Sequence, residues 1–104
     1  MHWYIYPAYF FGGAFLTNAI PHLVNGVSGR AFQTPFAKPS GKGLSSSTMN
    51  VIWGFFNLMI AWLLILEVGT FDLRNVQHAV VFGAGMLTMF IISARLFGPL
   101  HGGQ

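Results

Sequence analysis

The sequence contains no cysteine and very little charge. Without cysteine, disulfide bonds, thiolate metal sites and iron–sulfur clusters are excluded. Asp, Glu, Lys and Arg together make up 7% of the 104 residues, compared with about 25% in ordinary globular chains. Hydrophobic residues make up 54%, and the mean hydropathy is +0.60. Because these residues cannot provide a solvated surface, the sequence predicts a single membrane domain over residues 1–104.

Acidic residues are especially scarce. The chain has two of them and five Lys and Arg, which gives a formal net charge of +3. In an apolar chain, such an excess is more typical of membrane topology than of nucleic-acid binding, so no nucleic-acid partner is expected. The glycine-rich basic stretches match neither phosphate-binding motif in a strand-to-helix context. The sequence therefore predicts no catalytic residues, and an enzyme is not expected.

Three long segments carry little or no charge, and each is long enough to cross a membrane. A spanning helix needs about 20 apolar residues to cross about 30 Å of hydrocarbon. The segments cover residues 3–24, 48–68 and 76–97. The sequence therefore predicts an all-α integral membrane protein with three transmembrane helices. Pro21 is expected to kink or end the first helix one or two residues earlier.

The segment between the first two spans, residues 25–47, is rich in Gly, Ser and Pro. It carries three basic residues, Arg30, Lys38 and Lys42. Phe32 and Phe36 alternate with these residues, so we expect the loop to lie on the membrane surface with its rings inserted. The basic residues are the candidate contacts for anionic lipid headgroups. A run of hydroxyl side chains then offers N-caps to the second helix.

The distribution of basic residues predicts the orientation in the membrane. The long loop and Arg95 place four basic residues on one side. The other side has Arg74 alone, offset by Asp72 and Glu67. Because basic residues favour the cytoplasmic side, the loop and the C-terminus are predicted to be cytoplasmic and the N-terminus external, in a plasma or inner membrane.

Small and polar residues share one face of the second span. They are spaced by four, three and four residues and form a predicted helix-packing seam of Asn50, Gly54, Asn57 and Ala61. The Asn57 carboxamide needs a partner because hydrocarbon offers none. Asn18 on the first span is included in the predicted seam as the expected partner within one protomer, and Asn57 of a second copy is the expected partner between protomers. The seam is thus either internal packing or a subunit contact.

Histidine is the natural candidate for ligand binding or proton handling. The predicted topology places His2 and His78 on the outer side and His22 and His101 on the inner side. No set of three can then form within one protomer, so no metal site is predicted. A haem held by two histidines would have to use one of these two pairs.

Glu67 is a further candidate for ligand binding or proton handling, beside His22 and His78. It lies at the end of the second span, where a carboxylate can reach water. We expect it to pair with Arg74 or His78 across the short turn. An ion-coupled transporter usually places an acidic residue nearer the membrane midplane, and this sequence has none there.

These features leave three classes of function. The first is a non-catalytic membrane component, either self-associating or an accessory subunit of a larger membrane complex. The second is a small homo-oligomeric transporter or channel, and the third is a redox module that binds haem or quinone. The first class is favoured, with no cofactor expected. Its expected partners are membrane lipids and either copies of itself or other membrane subunits.

Overall fold

The computed structural model describes residues 3–103, and most of them are helical. The helices are α1, Ile5–Val27, α2, Ser47–Trp62, and α3, Val76–Phe97, and a π-helical segment, Leu63–Glu67, continues α2. Two short strands, β1, Phe32–Gln33, and β2, Leu44–Ser45, pair antiparallel between α1 and α2. The predicted helical fold is confirmed, and the strand pair is an addition that the sequence did not predict.

Side-chain caps define the starts of the second and third helices. The Ser46 hydroxyl accepts a hydrogen bond from the Met49 backbone N–H at 3.1 Å. The Asn75 side chain accepts one from the His78 backbone N–H at 3.2 Å. The backbone N–H groups in the first turn of a helix have no carbonyl partner within the helix, and each cap provides one of them with an acceptor.

The first helix is longer at its far end than the sequence predicted. Of the two expectations for Pro21, a kink or a helix end, the helix end is wrong, because α1 continues to Val27. The side chain of Asn25 donates to the Pro21 carbonyl at 2.7 Å, which supports the turn after the proline. Gly26 lies so close to α2 that a Cβ atom there would come within 2.7 Å of the Ser47 carbonyl. Packing against α2 therefore sustains the helix beyond the proline.

Helix α1 is the centre of the molecule. It packs against both α2 and α3, whereas α2 and α3 hardly touch each other within residues 3–103. Glycines allow the close contacts: a Cβ on Gly85 would run into the Phe10 carbonyl, and one on Gly54 would lie 2.7 Å from Leu23. The core is consequently formed mainly by α1, whose small residues let both neighbours approach.

Two helical segments are long and apolar enough to cross a membrane, namely Ser47–Glu67 and Val76–Phe97. They coincide closely with the second and third predicted spans. Helix α1 has the length but does not meet the same test, because its glycines and polar side chains lower its apolarity. Two of the three predicted spans therefore meet this criterion of length and composition.

Candidate functional site: a cavity at the loop end of the bundle

The loop between α1 and α2 folds back over one end of the bundle. The sequence placed the whole loop on the membrane surface, and this is wrong for Phe32, Gln33 and Thr34, which are buried. Phe36 remains exposed and packs edge-on against Trp53, with ring centroids 4.9 Å apart. The buried part of the loop closes the end of the helix bundle where α1 ends and α2 begins.

Asn50 holds this end together. Its Oδ1 lies 2.8 Å from Nδ1 of the buried His22 ring on α1. Its Nδ2 lies within hydrogen-bond distance of three carbonyls, those of Phe32 at 3.1 Å, Ser45 at 3.2 Å and Ser46 at 3.0 Å. Since Oδ1 can only accept, Nδ1 of His22 carries the proton. One fully buried side chain thus connects α1, α2 and the loop.

The second buried amide pair lies deeper in the bundle. Asn18 donates from Nδ2 to Oδ1 of Asn57 at 3.0 Å, and Asn57 donates to the Trp53 carbonyl at 2.8 Å. This is the partner that the sequence suggested within one protomer. The buried residues of α2 are Asn50, Gly54, Asn57 and Ala61, the same four that the predicted seam has on this helix. Three of them contact α1 directly, so the seam packs inside the protomer.

The C-terminal segment joins the same end of the molecule. His101 Nε2 lies 2.8 Å from Gln33 Oε1, and the His101 ring stacks on Phe32 with centroids 5.3 Å apart. The Phe32 ring also contacts the rings of His22 at 5.5 Å and Phe97 at 4.9 Å. Both inner histidines therefore contact Phe32 and have their own amide partners. They do not form a pair of facing haem ligands.

A cavity of about 340 Å³ lies between the loop and all three helices. We call it the loop-end cavity, and its main lining residues are Asn18, His22, Gln33, Lys42, Trp53 and Phe97. No acidic residue of the described chain lines it. The indole N–H of Trp53 is buried without a hydrogen-bond partner in the protein. The cavity therefore has one basic lining residue, Lys42, and no acidic one among the described residues.

The three basic residues predicted to contact lipid occupy different surroundings. Arg30 donates from Nε to the Asn25 side chain at 3.0 Å. Lys38 and Lys42 are both exposed, and neither has a hydrogen bond or ion pair within residues 3–103. Lys42 alone among the three lines the loop-end cavity.

The opposite end of the bundle holds the other predicted candidates, His78 and Glu67. The predicted pairing of Glu67 with Arg74 or His78 is wrong, because Glu67 is exposed and has no hydrogen bond or ion pair in the described chain. Asp72 closes the turn instead: its side chain accepts from the Arg74 backbone N–H at 2.9 Å, and its own N–H donates to His78 Nδ1 at 3.1 Å. His78 is thereby a structural residue of the turn.

Aromatic packing surrounds His78. Its ring lies 4.9 Å from that of Tyr9 and 5.9 Å from that of Phe71. Residues 3–103 contain no group of three or more histidines and acids that could hold a metal ion. His2 lies outside the described residues, and so does the pair of haem ligands that it could form with His78.

Comparison of the chain with protein-family models, curated proteins and solved structures yields no match. Function is therefore inferred from the helix surfaces and the loop-end cavity themselves.

Proposed function

We propose that this chain is a small multi-pass membrane protein that acts as a non-catalytic component, either self-associating or as an accessory subunit of a larger membrane complex. The surface of α3 carries this proposal. Gly85 is the one residue of α3 that is buried, although the helix has 22 residues and is apolar throughout most of its length. More than half of its residues are exposed, so the side of the helix that faces away from α1 is available to lipid or to another protein.

Exposure of the two apolar helices favours a membrane location. The core helix of a soluble protein is mostly buried, whereas α2 and α3 expose large side chains such as Phe55, Phe56, Phe90 and Ile91. Soluble monomers rarely expose contiguous apolar patches of more than a few hundred Å². At about 1.5 Å per residue, α3 is about 33 Å long, which matches the roughly 30 Å of hydrocarbon in a bilayer.

Helix α1 supplies the third span in this proposal. Its polar side chains are satisfied by neighbours, since Asn18 bonds to Asn57 and His22 to Asn50. A polar residue is tolerated at membrane depth when its hydrogen bonds are made inside the protein. The lower apolarity of α1 is thus compatible with a helix that crosses the membrane partly sheltered by α2 and α3.

The positions of the titratable residues support a non-catalytic component. The buried His22 is held by Asn50, and the two carboxylates, Glu67 and Asp72, lie at the opposite end of the molecule. The polar residues of α2 pair with α1 inside the protomer. They are not free to line a path between protomers, which gives the transporter alternative no support.

The charge distribution supports an orientation with the loop and the C-terminus in the cytoplasm and the N-terminus outside. The loop bonds to the C-terminal segment through Gln33 and His101, so both lie at the same end. This end carries four basic residues, and the other end carries Arg74 with two acids. Basic residues next to membrane spans favour the cytoplasmic side.

Replacing Gly83 by leucine is expected to separate the protein from its partners without unfolding it. Gly83 lies on the exposed face of α3 with Val80 and Leu87, and a Cβ there would meet no atom within 4 Å. A leucine therefore fits the protomer but prevents close approach of another helix. In mild detergent, we expect a lower particle mass with a thermal unfolding midpoint that does not fall.

The matched control is Gly85→Leu, two residues along the same helix, where the added side chain meets α1 and thermal stability should fall. Self-association gives a wild-type protein mass that is a multiple of 11.4 kDa, and an accessory subunit co-purifies with other chains. A wild-type particle with a single protomer and lipid would contradict the proposed function. So would an unchanged mass for Gly83→Leu.

A further inference from the structure

The loop-end cavity has the chemistry of an anion site. Lys42 is one of its lining residues and has no hydrogen bond or ion pair within residues 3–103. The Gln33 amide oxygen is already engaged by His101, which leaves its NH₂ group as a donor. A negatively charged acceptor would satisfy these groups, and no carboxylate of the described chain competes for them.

An apolar groove lies next to this cavity. It has a volume of about 330 Å³ and runs between α1 and α3, with Ala14, Phe15, Thr88 and Ile92 among its lining residues. Asn18 lines both the cavity and the groove. On α3, Ile92 of the groove and Leu96 of the cavity are four residues apart, so they lie on one face of the helix.

We propose that the loop-end cavity and this groove together bind one phosphate-bearing lipid. The phosphate oxygens accept hydrogen bonds from Lys42 and from the Gln33 NH₂ group, and an acyl chain lies in the groove between α1 and α3. The proposal rests on the membrane location given above, because the cavity then lies at headgroup depth and the groove faces the hydrocarbon. A phosphate headgroup complements the excess of basic residues at this end of the molecule better than a neutral quinone does.

Lipid binding to the full chain in a neutral detergent tests this proposal. The probes are lysophosphatidylglycerol, lysophosphatidylcholine, inorganic phosphate and a short-chain quinone, and native mass spectrometry counts the bound molecules. Lys42→Gln removes the cation from the cavity. Lys38→Gln is its matched control, because Lys38 is exposed in the same loop, is equally unpaired and does not line the cavity.

We expect one lysophosphatidylglycerol per protomer. Lys42→Gln should weaken its binding about fivefold, as expected for one cation near a phosphate, and Lys38→Gln should leave it unchanged. Thr88→Phe fills the groove from an exposed position and should weaken lipid binding without affecting inorganic phosphate.

Three results would overturn the proposal. Equal effects of Lys42→Gln and Lys38→Gln would indicate general surface attraction rather than a site. If inorganic phosphate binds as tightly as the lysolipid, the acyl chain contributes nothing to binding and the groove is not part of the site. Quinone binding without lysophosphatidylglycerol binding would assign the cavity to a different ligand. Failure of membrane insertion itself is detected separately by cysteine labelling, so the two proposals fail in distinguishable ways.

Discussion

Asn50→Leu is expected to lower the free energy of unfolding by about 3 kcal/mol and to release the loop from the end of the bundle. The substitution leaves Nδ1 of His22 and the Phe32 carbonyl without their partner in a buried environment. Each buried polar group that loses its partner costs about 1–3 kcal/mol. Since the same side chain also bonds to the backbone of Ser45 and Ser46, the loop loses its main attachment to α2.

Thermal unfolding in detergent and limited proteolysis of the loop measure these two effects. The matched control is Asn57→Leu, because Asn57 is equally buried on the same face of the same helix but bonds to Asn18 rather than to the loop. Interhelical side-chain bonds in membrane proteins average about 0.6 kcal/mol. We therefore expect a small loss of stability and an intact loop for Asn57→Leu. Equal proteolysis of both variants would contradict the role of Asn50 in holding the loop.

Gly85→Leu is expected to cost about 3 kcal/mol and to separate α1 from α3. A Cβ at this position would run into the Phe10 backbone carbonyl, and backbone atoms cannot move aside as a flexible side chain does. Gly13 makes the reciprocal approach, since its Cβ would meet the backbone of α3. Because no other residue of α3 is fully buried, this glycine contact largely determines how closely α3 packs.

A lower thermal unfolding midpoint for Gly85→Leu, with Gly83→Leu at or above the wild-type value, is the expected result. The two glycines are two residues apart on one helix, so helix propensity changes similarly in both variants. Equal midpoints would show that the contact between Gly85 and Phe10 does not limit the packing of α3.

Features that depend on local pattern could be predicted from the sequence. The third span was predicted at 76–97, and α3 is Val76–Phe97. The apolar run is uninterrupted, Asn75 caps its start, and Gly98 with Pro99 follows its end. The spacing of Asn50, Gly54, Asn57 and Ala61 predicted one helix face, because a period of 3.6 residues brings such positions together.

Features that depend on contacts between distant residues could not be predicted. The burial of Phe32 requires the rings of His22, Phe97 and His101, which come from other parts of the chain. A glycine- and serine-rich segment shows no periodicity that would indicate such contacts. The continuation of α1 past Pro21 likewise depends on the packing of Gly26 against α2.

The candidate site shows the same division. Lys42 was predicted to bind an anion from its charge and its place in the loop. Its neighbours in the cavity, Trp53 and Phe97, come from α2 and α3. Trp53 carries a signal of another kind, because an indole inside an apolar span brings an N–H that needs a partner. That signal could have indicated a polar site near the start of α2.

Cysteine labelling in intact cells tests the central claim, that the two ends of this bundle lie on opposite sides of a membrane. The natural chain has no cysteine, so Ala31→Cys at the loop end and Thr70→Cys at the turn end each give one thiol at an exposed position. An impermeant thiol reagent is expected to label Thr70→Cys directly and Ala31→Cys only after permeabilisation. Labelling of both variants in intact cells, or protection of both, would contradict a bundle that spans the membrane.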